Sequence, residues 1–160
     1  MSDASLRTRL IDDLRRIWDG DAWHGPSLSA LLADVTAAEA AAHPVAGAHS
    51  IWELVLHLDA WTREVTRRLG GATPAEPADG DWPAVREATA AAWNAARARL
   101  GEAQQGLLAM LAALPPGRLD EPAPASGTAA LSYGGIVSGV IQHDAYHGGQ
   151  IGLLRKALRR

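Results

Sequence analysis

Two histidines, His143 and His147, are the residues in this sequence whose type and spacing best suit chemistry. Side chains four positions apart lie on one face of a helix, so two neutral imidazoles at this spacing can bind one divalent metal ion. The spacing alone is weak evidence, because six histidines scattered over 160 residues give about 0.2 such pairs by chance. The surrounding sequence must therefore separate a metal site from a coincidence.

The two histidines stand where apolar residues belong in a helical pattern. The stripe contains Ile136, Val140, His143, His147, Ile151, Leu154 and Leu158. Its steps of three and four residues predict one buried helix face. Buried imidazoles without partners cost free energy, so we expect them to share hydrogen bonds, a metal ion or a water-filled pocket. Gly148 and Gly149 each weaken the helix by up to about 1 kcal/mol relative to Ala, which suggests a close backbone approach or space for a ligand.

A third ligand is expected, because catalytic zinc sites usually have three protein ligands and one open position. The chain has no Cys, so only His and carboxylates can serve. His57 is the best candidate: it flanks the apolar face of another predicted helix, and helix bundles build metal sites from facing helices. His49 lies about 12 Å away along that helix and is interpreted as a residue near its start. A hydrogen-bonded core histidine remains the alternative for His57.

The positions of the apolar residues predict an all-α fold with four principal helices. The first covers roughly residues 3 to 19, and a short extra helix after Ser27 precedes the second. Ser50 and Glu53 have the spacing of a capping box, in which two side chains satisfy backbone groups at a helix start. The second helix therefore begins at Ser50 and ends at Gly70-Gly71. The third is predicted from near Trp82 to Pro115-Pro116, and the fourth contains the histidine pair.

Composition narrows the class of protein. The length of 160 residues fits a single domain over residues 1–160. The formal net charge of −3 gives no electrostatic reason to expect nucleic acid binding. The N-terminus lacks an apolar segment of secretory length, and the longest apolar run, residues 107–114, is too short to cross a bilayer. We therefore expect a cytoplasmic protein that binds neither nucleic acid nor membranes.

Three segments resemble the DinB-like (YfiT-like) superfamily of metal-dependent enzymes. They are GDAWHGPS at 20–27, HSIWELVLH at 49–57 and HDAYHGGQI at 143–151. The resemblance implies a four-helix bundle with up-down-down-up connectivity. It also implies one divalent metal ion, zinc or nickel, held by one histidine of the second helix and two of the fourth, which correspond to His57, His143 and His147. Relatives are often homodimers, so a homodimer is implied as well.

The resemblance further implies three possible functions. Some relatives are S-transferases for low-molecular-weight thiols such as bacillithiol or mycothiol, so activation of a small thiol for transfer to a small electrophile is the leading hypothesis. Three neutral imidazoles leave the metal its full charge, which favours thiolate capture or a water of lowered pKa. The alternative is a hydrolase that uses metal-bound water. A bundle that binds a metal or ligand without catalysis is the third.

Asp144 is the candidate general base for hydrolysis, because the sequence from His143 to His147 resembles the H-E-x-x-H motif with Asp in place of Glu. Asp is one methylene shorter than Glu. A neighbour in a helix also points about 100° away from the ligand, so a catalytic role needs favourable geometry. The competing interpretation is a carboxylate that supports a ligand or lies on the surface.

Five further residues are candidates for the pocket or for contacts that orient the ligands. They are Trp23, His24, Trp61, Tyr146 and Gln150. Trp23 and His24 lie in a predicted loop and could line the pocket mouth, whereas an anchoring role is the competing interpretation. For Trp61, Tyr146 and Gln150, which lie on the ligand-bearing helices, packing is the alternative.

Overall fold

The computed structural model describes residues 3–125 and 130–159. Its elements are α1 (Asp3–Trp18), α2 (Leu28–Leu32), α3 (Ala37–Ala41), α4 (Ile51–Leu69), α5 (Ala90–Ala113), a 3-10 helix (Arg118–Asp120) and α6 (Tyr133–Leu158). Within these residues the secondary structure is helical, which confirms the all-α prediction. None of the described helices is both long enough and apolar enough to span a membrane.

The four long helices α1, α4, α5 and α6 form the bundle, in which α4 packs against α5 and α6, and α1 packs against the same two helices. Neighbours α4 and α5 run in the same direction, because Trp52 meets Trp93 near both helix starts and Thr62 meets Gln104 farther along. A helix of 19 residues is about 28 Å long. The chain must return over this length before α5 begins, which explains the long connection over residues 70–89.

Helices α4 and α6 run in opposite directions. Tyr133, the first residue of α6, lies against Gly71 just beyond the end of α4. Ten residues farther along α6, His143 meets His57 in the first half of α4. This antiparallel pairing brings the two predicted ligand helices face to face. The complete up-down-down-up order stays a prediction.

The start of α4 forms as the sequence predicts. Glu53 Oε2 accepts a hydrogen bond from the Ser50 amide at 2.7 Å, and Ser50 Oγ accepts one from the Glu53 amide at 3.2 Å. The capping box is therefore confirmed. The segment after Ser27 differs: Ser27 makes no capping hydrogen bond, α2 ends at Leu32, and α3 follows with a capping box of its own at Thr36.

The predicted start of the third principal helix near Trp82 is wrong, because α5 begins at Ala90. Thr89 caps α5 by accepting a hydrogen bond from the Ala92 amide at 3.1 Å. Residues 82–89 are not helical, and the Asp81 carbonyl just before them accepts a hydrogen bond from His57 of α4. The helix therefore begins directly after the Thr89 cap rather than near Trp82, where its apolar pattern indicates a start.

A polar layer divides the core of the bundle into two apolar clusters. One contains Leu54, Leu58, Trp93, Leu100 and Ile151, and the other contains Leu14, Val65, Leu107, Val137 and Val140. Between them Thr62, Gln104 and Asp144 are completely buried. The three predicted metal ligands lie at the same level of α4 and α6. The candidate site therefore lies at this polar layer.

The connection after α4 is anchored by the buried carboxylate of Glu64. Its oxygens accept hydrogen bonds from Arg67 at 2.8 Å, from Arg68 at 2.9 Å and from the backbone amide of Ala75 at 2.9 Å. Burial by itself would raise the pKa of Glu64, but the hydrogen bonds from Arg67, Ala75 and Arg68 outweigh it and lower the pKa from 4.5 to about 2. The ionised carboxylate therefore stabilises the folded state.

This anchor predicts a specific loss of stability in acid. A carboxyl group with a lowered pKa in the folded state stabilises fully above the unfolded pKa, and the stabilisation disappears as pH falls from 4.5 to about 2. The shift corresponds to at most about 3 kcal/mol. Urea unfolding of wild type and Glu64→Gln should give free energies that differ at pH 7 and converge through this window. A difference that is independent of pH would contradict the prediction.

Candidate metal centre

Three imidazole nitrogens converge between α4 and α6. The Nε2 atoms of His57 and His143 are 2.9 Å apart, and those of His143 and His147 are 3.1 Å apart. All three rings offer a nitrogen within 4.8 Å of the other two. His57 and His147 are buried, whereas the side chain of His143 is 29% exposed. The cluster is therefore enclosed on two sides and reachable from solvent beside His143.

The outer nitrogens of two rings are fixed by oxygen acceptors. His57 Nδ1 donates to the backbone carbonyl of Asp81 at 2.7 Å, and His147 Nδ1 donates to Gln150 Oε1 at 2.7 Å. These oxygens only accept hydrogen bonds, so the ring proton lies on Nδ1 in both residues. In a neutral imidazole the other nitrogen then carries a lone pair. Both rings consequently present a bare Nε2 to the centre of the cluster.

The same two rings are held in the neutral form. Burial lowers the pKa of His147 to about 4, with further lowering from the neighbouring His143, against the opposing hydrogen bond to Gln150. Burial also lowers the pKa of His57, although its hydrogen bond to Asp81 opposes that effect. Neutral imidazole is the form that binds a metal ion.

Hydrogen bonding alone does not satisfy the cluster. A neutral His143 can donate one Nε2 proton, so it can pair with His57 or with His147 but not with both. A divalent cation would satisfy all three lone pairs. Tetrahedral bonds of about 2.0 to 2.1 Å would separate the nitrogens by about 3.3 Å. The spacings of 2.9 and 3.1 Å are within a few tenths of that value, so the three residues fit a metal ion.

Trp61, Asp81 and Trp82 surround His57. The indole Nε1 of Trp61 donates to the carboxylate of Asp81 at 2.7 Å. The Trp82 ring stacks between two imidazoles, with centroid distances of 3.9 Å to His57 and 3.5 Å to His49. Asp81 and Trp82 were not among the residues expected from sequence. The sequence signal for them is an acid and an aromatic residue between Gly80 and Pro83, at the point where the sequence predicts the third principal helix to begin.

The other expected residues divide into two groups. Gln150 and Trp61 contact the cluster as described, and Tyr146 lies edge-on to His147 at 5.0 Å with 65% of its surface exposed. Trp23 is fully exposed and His24 is also exposed. Both line a surface depression along α1, whose lining includes none of the three histidines. The structure therefore does not bring these two residues to the cluster.

Asp144 lies inside the bundle rather than at the open side of the cluster. It is completely buried, and its Oδ2 accepts a hydrogen bond from Gln104 Nε2 at 2.9 Å. Its Oδ1 lies 3.9 Å from His143 Nδ1, on the edge of the ring opposite Nε2. Burial raises the pKa of the carboxyl group, although the nearby His143 ring and the hydrogen bond from Gln104 oppose that effect. The environment is that of a group in the core.

The polar layer predicts different effects for two substitutions of Asp144. Asp144→Asn keeps an acceptor for Gln104 and removes a buried charge, so its free energy of unfolding at pH 7 should equal or exceed that of the wild type. Asp144→Ala removes the shorter of the two hydrogen bonds of the buried Gln104 amide, leaves only the 3.4 Å bond to Thr62, and should lose roughly 1 to 3 kcal/mol. Urea titrations measure both. An Asn variant as unstable as the Ala variant would show that the charge itself is required.

The fold and the cluster together define a helical bundle with a candidate three-histidine metal centre. The chain belongs to the DinB superfamily, whose family model matches residues 22–151. The matched range covers α2 to α5, most of α6 and all three histidines. Neither a curated protein nor a solved structure matches the chain. The family expected from the sequence resemblance is thereby confirmed.

Proposed function

We propose that the protein binds one divalent metal ion, zinc or nickel, through the Nε2 atoms of His57, His143 and His147. The observation that carries the proposal is the pair of fixed tautomers: acceptor oxygens hold protons on the Nδ1 atoms of His57 and His147, so both bare Nε2 atoms face His143. Two lone pairs and one remaining nitrogen at 2.9 and 3.1 Å are a donor set for a cation.

The reaction that we propose is S-transfer from a low-molecular-weight thiol to a small electrophile. A divalent ion held by three neutral ligands supplies Lewis acidity that lowers the pKa of a thiol. In the transfer, the thiol sulfur forms a bond to an electrophilic carbon, the leaving group departs with its bonding electrons, and the thiol proton passes to solvent. The partly exposed side of His143 is where both substrates would approach.

The position of the carboxylates argues against hydrolysis that relies on Asp144 as the general base. Asp81 Oδ1 lies 3.3 Å from His57 Nδ1, and Asp144 Oδ1 lies 3.9 Å from His143 Nδ1. Both acids are therefore on the outer edges of the rings, away from the converging nitrogens, where a general base for water would have to reach. Thiol ionisation on a cation needs no such base, so hydrolysis with Asp144 as base is the second candidate.

A homodimer belongs to the same proposal. Tyr146 and Leu153, two turns apart on α6, have 65% and 62% of their surfaces exposed. Large apolar side chains on one helix face are typical of an interface. A small-molecule substrate and a homodimer both remain part of what we propose for this family member.

Metal binding predicts matched results for four histidine variants. Untagged wild type purified without nickel resin should contain about one divalent ion per chain, as measured by inductively coupled plasma mass spectrometry. His57→Ala, His143→Ala and His147→Ala should each lose most of that metal, because two nitrogens hold an ion much less tightly than three. His24→Ala is the control, since His24 is exposed and apart from the cluster.

The same measurements define the results that would contradict the ligand assignment. Equal metal content in all five proteins would defeat the ligand assignment. Loss of metal in His24→Ala alone would place the site at the depression along α1 instead.

S-transfer predicts thiol consumption by the metal-loaded protein. A panel of low-molecular-weight thiols and small electrophiles should include at least one pair that reacts above background, and His143→Ala should reduce that rate to background. Asp144→Asn should retain the rate, because the carboxylate lies behind the His143 ring. Two results together would favour the hydrolase: thiol consumption stays at background for all pairs, and the protein hydrolyses an ester or amide in a reaction that Asp144→Asn abolishes.

A metal-loaded protein that is inactive in both assays would support the non-catalytic bundle.

A further inference from the structure

The connection between α4 and α5 crosses the outer edge of His57. We call residues 77–83 the strap. Three contacts hold it there: His57 Nδ1 donates to the Asp81 carbonyl at 2.7 Å, Trp61 Nε1 donates to the Asp81 carboxylate at 2.7 Å, and the Trp82 ring stacks on His57 at 3.9 Å with an interplanar angle of 10°. The backbone and the side chains of the strap therefore contact the same imidazole.

The conformation of the strap is set by its own sequence. A turn closes where the Pro77 carbonyl accepts a hydrogen bond from the Gly80 amide at 2.8 Å. Gly80 has φ 86°, a backbone conformation that L residues rarely adopt. Pro83 disfavours helical backbone at Trp82. Asp79 accepts a hydrogen bond from Arg99 of α5 at 3.0 Å. These restraints fix the Asp81 carbonyl before any ligand binds.

Trp82 restrains the plane of the His57 ring. Its indole lies between His57 and His49, with interplanar angles of 10° and 7°. A ring stacked on a flat partner cannot rotate without losing that contact, and stacked aromatic pairs contribute beyond the area they bury. His57 therefore has both its proton position and its ring plane determined by the strap.

We propose, on the basis of the metal-binding function above, that Asp81 and Trp82 are positioning residues of the three-histidine centre. The Asp81 carbonyl keeps the His57 proton on Nδ1, and Trp82 keeps bare Nε2 directed at His143. Without these contacts the ring populates both tautomers and several orientations, and only the competent fraction binds a metal ion. The apparent affinity falls by that fraction. Loss of such outer partners typically weakens metal binding about 10- to 100-fold.

The first test compares Trp82→Ala with Trp82→Phe, which retains a stacking ring. Long-range proton–nitrogen NMR spectra of the metal-free proteins at pH 7 report the tautomer of His57. Wild type and Trp82→Phe should show the Nδ1-protonated form. Trp82→Ala should show a mixture, because without the stacked ring the imidazole can rotate away from the Asp81 carbonyl. Zinc titrations against a chromophoric chelator should give a dissociation constant about 10-fold or more weaker for Trp82→Ala, and within about 3-fold of wild type for Trp82→Phe. Circular dichroism verifies that each variant is folded.

The second test uses two glycines with matched backbone strain. Gly80 has φ 86° and Gly117 has φ 82°, and a Cβ at either position meets nothing within 4 Å. Gly80→Ala and Gly117→Ala should therefore lower the melting temperature by similar amounts. Only Gly80→Ala should change the His57 tautomer and weaken zinc binding, because Gly117 lies outside the strap.

The outcomes separate the strap from the metal site. A wild-type tautomer and zinc affinity in Trp82→Ala would overturn the positioning role, as would equal weakening by Gly80→Ala and Gly117→Ala. If wild type binds neither zinc nor nickel, the proposed metal function fails. A tautomer change in Trp82→Ala would then still support control of the His57 ring by the strap, and its absence would overturn that control as well.

Discussion

The convergence of three neutral imidazole nitrogens in the interior of the bundle is the constraint on which the rest of the site depends. Lone pairs that face one another repel unless a proton or a cation lies between them. Two of the three rings have their protons fixed on the outer nitrogen by acceptor oxygens, so one shared proton cannot satisfy the group. The cluster therefore needs further compensation, which a divalent ion would provide.

The bundle supplies this arrangement through helix direction. Helices α4 and α6 are antiparallel neighbours, so one turn of α6 carrying His143 and His147 meets His57 directly. Apolar clusters on both sides of this level exclude water and lower the pKa values of His57 and His147. The same burial raises the pKa of Asp144, which shares the layer. One environment therefore favours the neutral form of both kinds of group.

The parallel arrangement of α4 and α5 has a second consequence. It requires a connection long enough to return along the bundle, and this connection passes the outer edge of His57. The connection that this topology requires therefore contacts His57 and can orient its ring. Glu64 anchors its first part through Ala75, and Trp61 anchors its last part through Asp81. The connection is therefore joined by direct contacts both to the buried Glu64 carboxylate and to the three-histidine cluster.

Some features were accessible from the sequence because they are local. The capping box at Ser50 needs only four consecutive residues, and the histidine pair is recognisable because it interrupts an apolar stripe within a single helix. His57 required an inference about facing helices, which the bundle geometry supports. The start of α5 was predicted too early. The helix is capped by Thr89, whereas the strap that contains Trp82 is bound to His57 of α4. Trp23 is fully exposed and lines a depression along α1 whose lining includes none of the three histidines.

By itself the sequence determined the all-α class, the family and the histidines of the cluster, because periodicity, caps and motif spacing act over one or two turns. Only the tertiary structure decided which nitrogen of His57 and His147 carries the proton, where Asp144 points, and that Asp81 and Trp82 enclose His57. Asp81 lies 24 residues from His57, in the connection that folds back along α4. Hydrogen-bond partners at such separations have no local periodicity, so no pattern in the sequence specifies them.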